Sequence, residues 1–383
     1  MANTLTAILP TIYEALDVVS RELVGLIPAV ARDSSAERAA KDQNVTYHVV
    51  PTVTGEDITP GATPADSGDQ TIGSGTMTIS KSRAFPVRWT GEEQRSLLNG
   101  DRPQLRNIMR DQFAQAMRAG VNEIEADLAL SYKGASRAYG TAGTAPFGTA
   151  SDFTDFSNII KLLDDNGAPK TDRHMVLGTT AMVNLRGKQS GLFKVNEAGT
   201  DEMLRRGMIS QVMNFGLHES HQILTHTKGT GTGYLVNTGG GEAVGQTTIT
   251  TDTGSGTIVA GDVVTFAGTT HKYIVKTALG GGSFVLNDPG LLVAEADDDA
   301  ITVGNNYAAN LAFSRNAIHL VTRTPAMPEG GDDADDVIEI VDPVSGLAFQ
   351  VAYYKQYRRV KIEFGIAWGY KVVKSEHLAT LLG

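Results

Sequence analysis

The sequence has no cysteine. That excludes disulfides, thiolate metal sites and a cysteine nucleophile, and leaves noncovalent contact or a rarer cross-link to hold any assembly together. It has no run of about 18 apolar residues, so no helical membrane span is expected. The N-terminus lacks a basic n-region, so no signal peptide is expected and the chain is placed in the cytoplasm. Basic residues are in deficit, 33 against 43 acidic, for a formal net charge of −10. That balance argues against a surface that grips nucleic acid by counterion release, and suits solubility or a wall to which DNA should not adhere. Glycine, in contrast, is plentiful at 42 residues, which favours many turns, and a chain of 383 residues has room for a large core and two or three domains.

The strongest pattern present is the stretch from Asp101 to Tyr132. Asp101 is placed to cap a helix and Pro103 to sit in its first turn, where a missing N–H costs nothing. Leu105, Ile108, Met109, Phe113, Met117, Ile124 and Leu128 recur at three- and four-residue steps and form one apolar stripe. Arg106, Arg110, Arg118 and Glu125 are assigned to the wet face. About 30 helical residues at ~1.5 Å each give a rod of roughly 45 Å.

Before it, Ile12, Tyr13, Leu16, Val19 and Leu23 mark an amphipathic helix with Glu14, Asp17, Arg21 and Glu22 on its polar side. Such a short helix either docks on another surface or packs on its own domain. The polar run ARDSSAERAAKDQN that follows reads as a mobile arm. Val45 to Pro51 and Met77 to Trp89 read as strands, separated by a long Gly, Pro, Asp, Ser and Thr stretch, and so describe a projecting two-stranded arm. Met77, Ile79, Phe85, Val87 and Trp89 share one parity, and Pro86 makes theirs an edge strand or a bulge.

After the long helix, helices at Phe153 to Asp165, Thr179 to Leu185 and Glu202 to Met213, with an extended segment His174 to Leu177, describe an α+β domain. From about His226 to Gly304 short strand-like runs and turn signals alternate, the pattern of a small all-β barrel or sandwich inserted into that domain. Strands of an antiparallel sheet close the chain after the acidic loop Glu329 to Asp336.

No constellation points to catalysis. His218, His221 and His226 form the nearest approach to a metal set, but no acidic ligand has a fixed place beside them. The glycine clusters at 229–233 and 239–241 lack the strand, Gly-x-Gly-x-x-Gly, helix order of a dinucleotide site and read as turns. The aspartates of the acidic loop lack the spacing of a calcium site. The expectation is a protein with no active site, metal or cofactor, which is not an enzyme.

Four stretches, SKSRAFPVRWTGEEQRSL at 80–97, EMLRRGMISQVMNFGLHES at 202–220, NLAFSRNAIHLVTRTPAMP at 310–328 and KIEFGIAWGYKVVKSEHLATLL at 361–382, together resemble the major capsid (coat) proteins of tailed phages. More specifically, they resemble the short-tailed-phage coat family that carries an inserted domain, the I-domain. The resemblance implies an α+β tailed-phage major capsid fold, of the Hong Kong phage type shared with the herpesvirus capsid floor, with an all-β insert. It implies an N-terminal arm at 1–44, an extended loop at 45–90, a spine helix and peripheral domain at 91–150 and a first apical part at 151–226. The I-domain then spans 227–304, and closing apical and peripheral strands occupy 305–383. The implied function is self-assembly, as hexamers and pentamers, into an icosahedral procapsid and mature shell around double-stranded DNA bound without sequence specificity. Scaffolding and portal proteins are the further implied partners, and the location is the virion capsid, assembled in a host bacterial cytoplasm. Glu14, Asp17 and Glu22 are the candidate scaffold contacts. Phe85, Val87, Trp89, Asp332, Asp333, Asp335 and Asp336 are the candidate contacts between subunits. Two alternatives stay open: a nanocompartment shell around cargo enzymes, and a soluble enzyme with a β insert.

Overall fold

A computed structural model describes residues 11–12, 14–15, 25–49, 55, 60, 72–98, 102–188, 211–341 and 346–383. Asp17, Glu22, Asp101, most of the loop between the two expected arm strands, and residues 202–210 of an expected helix lie outside these. Residues 11–12 and 14–15 are helical, and Ile12 and Ala15 are fully buried in the main core. The described part of the N-terminal helix therefore packs on its own chain.

The polar run after it is not a free arm. Ala31–Ala39 (β1) is a strand laid parallel to a later one, Ile318–Pro325. Its ladder is reinforced by side chains that hydrophobic periodicity does not register: Arg323 donates to Asp33 at 2.9 Å and Thr322 to Ser34 at 2.9 Å. A strand can be polar on its outer face when it sits at a sheet edge. Asn44–Val49 (β2) and Gly73–Thr78 (β3) then form a two-stranded antiparallel hairpin. Opposite Gly75 stands Tyr47, whose ring occupies the space a Cβ on Gly75 would need. Met77 and Ile79 bury the base of this hairpin against Ala39, Val321 and Ala367.

The expected second strand is broken at Ile79 and Ser80, so that Lys81–Thr90 (β4) leaves the hairpin and joins another sheet. Among the described residues β4 pairs on one side only, which is where Pro86, having no N–H to give, is tolerated. A short helix, Gly91–Leu98, follows, opened by a reciprocal cap in which Thr90 and Glu93 exchange side chain to backbone bonds.

The long helix spans Arg102–Ala129, 28 residues or about 42 Å, and runs on into a 3-10 turn, Leu130–Gly134. Phe113, Met117, Ile124 and Leu128 are essentially fully buried. At roughly 1.5–3 kcal/mol each, these four contribute about 6–12 kcal/mol, far more than intrinsic helix propensity supplies. On its flank Asp127 accepts from Trp368 Nε1 at 2.9 Å and from Lys81 at 2.8 Å, fixing both β4 and the sheet beneath.

The chain next makes Arg137–Tyr139 (β5), a helix Thr154–Asp165, Arg173–Leu177 (β6), a helix Thr179–Lys188, Gln211–Val212 (β7), Phe215–Glu219 (β8) and Thr225–His226 (β9). Residues 211–213, expected as the end of a helix, instead enter a hairpin. Val212 pairs with Phe215, and Met213 and Asn214 take positive φ between them.

Six strands then build the insert: Tyr234–Val236 (β10), Thr248–Asp252 (β11), Val263–Phe266 (β12), Tyr273–Gly280 (β13), Ser283–Leu286 (β14) and Ala300–Val303 (β15). They pair in the order β12-β15-β10-β11-β14-β13, and a β12–β13 pairing closes the ring. The insert is a closed antiparallel barrel around its own core of Tyr234, Val236, Ile249, Val264, Phe266, Tyr273, Phe284 and Leu286.

The chain closes with Tyr307–Ser314 (β16), Ile318–Pro325 (β17), Asp336–Val341 (β18), Ala348–Gln356 (β19), Arg359–Val372 (β20) and Leu378–Leu382 (β21). These return to two sheets. One is six-stranded, β1-β17-β20-β19-β18 with β4 on the other edge of β20, and carries the long helix on one face. The other runs β5-β21-β16-β6-β8-β7 and packs Phe156, Ile159 and Leu163 of one helix and Met182 and Leu185 of another against its strands. The barrel joins the second sheet through the pairing of Tyr273 with Arg137.

Candidate functional site

The residues expected to meet neighbouring subunits are not all on the surface. Val87 and Trp89 are only 9% and 5% exposed and belong to the core beneath the long helix. Phe85 is partly buried against the same core, its ring filling the space over Gly120. The apolar face of β4 is thus spent inside its own chain, which corrects the expectation that these three side chains offer an apolar surface to a neighbour. What β4 leaves outward is its free ladder edge and the exposed face carrying Ser82, Ala84, Pro86, Arg88 and Thr90.

The acidic loop is built, not floppy. Tyr354 donates to Asp332 at 2.5 Å, and Asp335 accepts from the backbone N–H and the ammonium of Lys355 at 3.0 and 3.2 Å. Asp336 opens β18 opposite Tyr353. Asp333 and Glu329 are exposed. Glu14 is helical and exposed.

The three histidines at 218–226 are separated by the fold, and among the described residues no group of three or more His, Asp or Glu side chains could hold a metal ion. His221 lies at the surface beside Gln222. His226 stands between two buried groups, with the Tyr132 hydroxyl 2.8 Å from Nδ1 and Asp262 Oδ1 2.8 Å from Nε2. Asp262, fully buried, also accepts from the N–H groups of Gly229 and Val259. Burial and the Asp262 charge push the Tyr132 phenol up to about 12, so it stays protonated. Tyr132 lies in the 3-10 turn that follows the long helix, His226 precedes the barrel and Asp262 lies within it, so this row is a joint between barrel and body.

His218 belongs to a second cluster. His174 Nδ1 lies 3.0 Å from His218 Nε2, while His174 Nε2 faces Asp172 and Arg315 at 2.9 Å each. Burial lowers both histidines, His218 to about 4. One nitrogen of the 3.0 Å pair must be bare to accept, so protonating both rings replaces a hydrogen bond by repulsion, with Arg315 adding to it. Because the folded values are depressed below 6.5, the stabilisation is complete above pH 6.5 and is lost as pH falls through the folded values toward about 4. The urea midpoint is expected to drop across that window, and His218→Gln should flatten the drop; an unchanged slope would remove the pair from the account.

Sequence reasoning missed a third buried group. Glu125, assigned to the wet face, is 1% exposed. Its carboxylate accepts from the N–H groups of Gly25, Leu26 and Ile27 at 2.8, 2.6 and 3.0 Å. Burial pushes the carboxyl up, against the downward pull of those donors and the Ser220 hydroxyl. On the other end of the same short turn, Arg315 donates to Pro28 O at 3.0 Å. Gly25 has no room for a side chain: a Cβ would stand 2.6 Å from Glu219 O. The available signal was spacing, since Glu125 lies four residues after Val121 and three before Leu128, inside the apolar stripe rather than opposite it.

A concavity of about 710 Å³ lies at the end of the six-stranded sheet between Thr90–Gln94 and the β19–β20 turn. It carries exposed tyrosine and arginine side chains and no acid–base pair set against a nucleophile. These surfaces offer strand edges, charges and aromatic faces for binding.

No family model and no curated protein matches the sequence. Solved structures do. The chain is similar to a structure from Mycobacterium phage Che8 at 13% identity, over 94% of this chain and 92% of the other, with a TM-score of 0.46. It is similar to the capsid structure of the cyanophage P-SCSP1u at 10% identity, over 94% and 88%, with a TM-score of 0.49. It is also similar to a virus-like particle from Pyrococcus furiosus at 8% identity, over 97% and 98%, with a TM-score of 0.43.

Proposed function

We propose that this chain is a shell-forming coat subunit, of the tailed-phage major capsid type with the closed barrel as its I-domain, many copies of which enclose double-stranded DNA in an icosahedral container. The observation that carries the reading is the order in which one chain lays down its parts. A two-stranded hairpin and an edge strand precede a 28-residue helix, a mixed sheet and a closed barrel follow, and the last strands return to both sheets. That is the order which the coat-family resemblance implies. It is supported by open strand edges: β4 and the β2–β3 hairpin each lack a ladder partner on one side among the described residues, and a two-stranded hairpin is marginal without a further surface. Closed symmetry lets many modest contacts of this kind sum to a stable shell.

Within this reading the acidic face with Glu14, Asp17 and Glu22 is the contact for a basic scaffolding partner, a portal protein occupies one vertex, and the virion is the site of action. The net charge of −10 keeps the wall from adhering to its contents. Electron microscopy of the chain expressed with and without its scaffold is expected to show closed shells or capsomers. Shells filled with protein cargo instead of nucleic acid would convert the reading to a nanocompartment, and a strictly monomeric chain under both conditions would remove it.

A further inference from the structure

We propose that the tip of the β19–β20 hairpin, with the concavity beside it, receives the acidic loop 329–336 of a second copy of this chain. The inference rests on the shell reading and names one of its contacts.

Tyr357 is 87% exposed, a large aromatic held out in water at the turn between β19 and β20. The next residue, Arg358, takes φ +57°, a left-handed conformation in which glycine folds without penalty and arginine does not. The tip is nonetheless fixed: Gly91 donates to Arg358 O at 3.0 Å, and the guanidinium carbon of Arg358 lies 5.5 Å from the Tyr357 ring centre. Residues 355–359, Lys-Gln-Tyr-Arg-Arg, are all exposed. Neither Arg358 nor Arg359 has a carboxylate partner among the described residues. Beside them the concavity of about 710 Å³ is lined by Tyr353, Tyr357, Arg358 and Arg359, with Glu92 as its acidic member. Two adjacent guanidiniums without carboxylate partners, one of them lying over an exposed aromatic ring, suit a carboxylate-bearing loop.

The acidic loop supplies that chemistry. Asp332 and Asp335 are used internally, on Tyr354 and Lys355, and hold its shape, which leaves Glu329 and Asp333 exposed on a loop already ordered for binding. Within its own chain the loop reaches only the β19 side of the concavity, where Asp335 is bonded to Lys355; Arg358 and Arg359 are left without it. The sheet runs β4-β20-β19-β18, the loop enters β18 beside β19, and the concavity extends from β19 under the hairpin tip to Thr90–Gln94. Donor loop and receptor tip are therefore different surfaces of one chain. A contact between copies made this way is head to tail, the kind that closes a ring when the rotation between neighbours divides a full turn.

Charge exchange on the full chain tests this. Arg358→Glu with Arg359→Glu, and separately Glu329→Lys with Asp333→Lys, should leave the urea midpoint unchanged while the yield of shells or closed oligomers, counted by microscopy and native mass spectrometry, falls by about tenfold or more. All four reversals in one chain should restore assembly. Arg358→Gly gives a second reading, because it relieves the turn: the fold should be as stable or more so, and assembly weaker. Either double reversal assembling like the wild type, or the fourfold variant remaining unassembled, overturns the contact. If the wild type itself never assembles, the shell reading fails with it; if only the variants prove indifferent, the contact alone fails.

Discussion

Replacing Glu125 by alanine should destabilise the protein by about 3–6 kcal/mol, because it strands three buried N–H donors at about 1–2 kcal/mol each. Gly25, Leu26 and Ile27 all point their N–H groups at this one carboxylate, and the turn they begin is buried at Leu26, Ile27, Ala29 and Val30. Water cannot take the place of the lost acceptor without opening that turn. The visible result should be release of residues N-terminal to β1, read as new protease cleavage near residue 25 at denaturant concentrations where the rest stays folded, together with a lower urea midpoint. Glu125→Gln keeps one acceptor oxygen and the side-chain volume, so its cost should be roughly half. Equal behaviour of the alanine and glutamine variants would show that packing, not acceptance of these bonds, holds the turn.

Ala116→Pro should have the larger effect, the absence of any folded chain. Ala116 lies in the middle of the long helix, where proline removes a backbone bond and drives its ring into the preceding turn, at about 3 kcal/mol or more. The helix cannot absorb a kink there. Phe113 and Met117 on either side are buried against the strands beneath, Phe113 meeting the Phe364 ring at 5.5 Å. A bend would pull one half of the apolar stripe off the sheet, and the loss would then include its burial. Ala116→Gly, which lowers propensity without blocking the bond, should cost only about 1 kcal/mol. Circular dichroism and solubility of the two variants distinguish the cases: soluble, helical Ala116→Pro protein would mean that the six-stranded sheet does not depend on the helix laid across it.

The long helix and the barrel were legible because their patterns are local. A stripe at three- and four-residue steps needs no knowledge of what it packs on, and short runs of β-branched and aromatic residues between glycine turns announce strands whatever their partners. β15 was missed because ADDDAITVG shows too short an apolar run to stand out. β1 was missed for a different reason. ARDSSAERA is reinforced by Asp33 with Arg323 and Ser34 with Thr322, pairs 290 and 288 residues apart in sequence, and nothing in a polar run marks it as a strand until its partner is beside it.

The candidate contacts divide along the same line. Parity put Phe85, Val87 and Trp89 on one face of a strand, correctly, but parity does not say which face is inside, and the long helix covers that one. The sequence by itself determined a cysteine-free, acidic chain with a long amphipathic helix, an edge strand bearing Pro86 and an inserted all-β module, since each follows from composition or from the period of neighbouring residues. Only the tertiary structure decided that Glu125 is buried, that His174 meets His218 and Tyr132 meets His226, and that Tyr357 and Arg358 stand in water, since burial and pairing of polar groups depend on which distant strands converge.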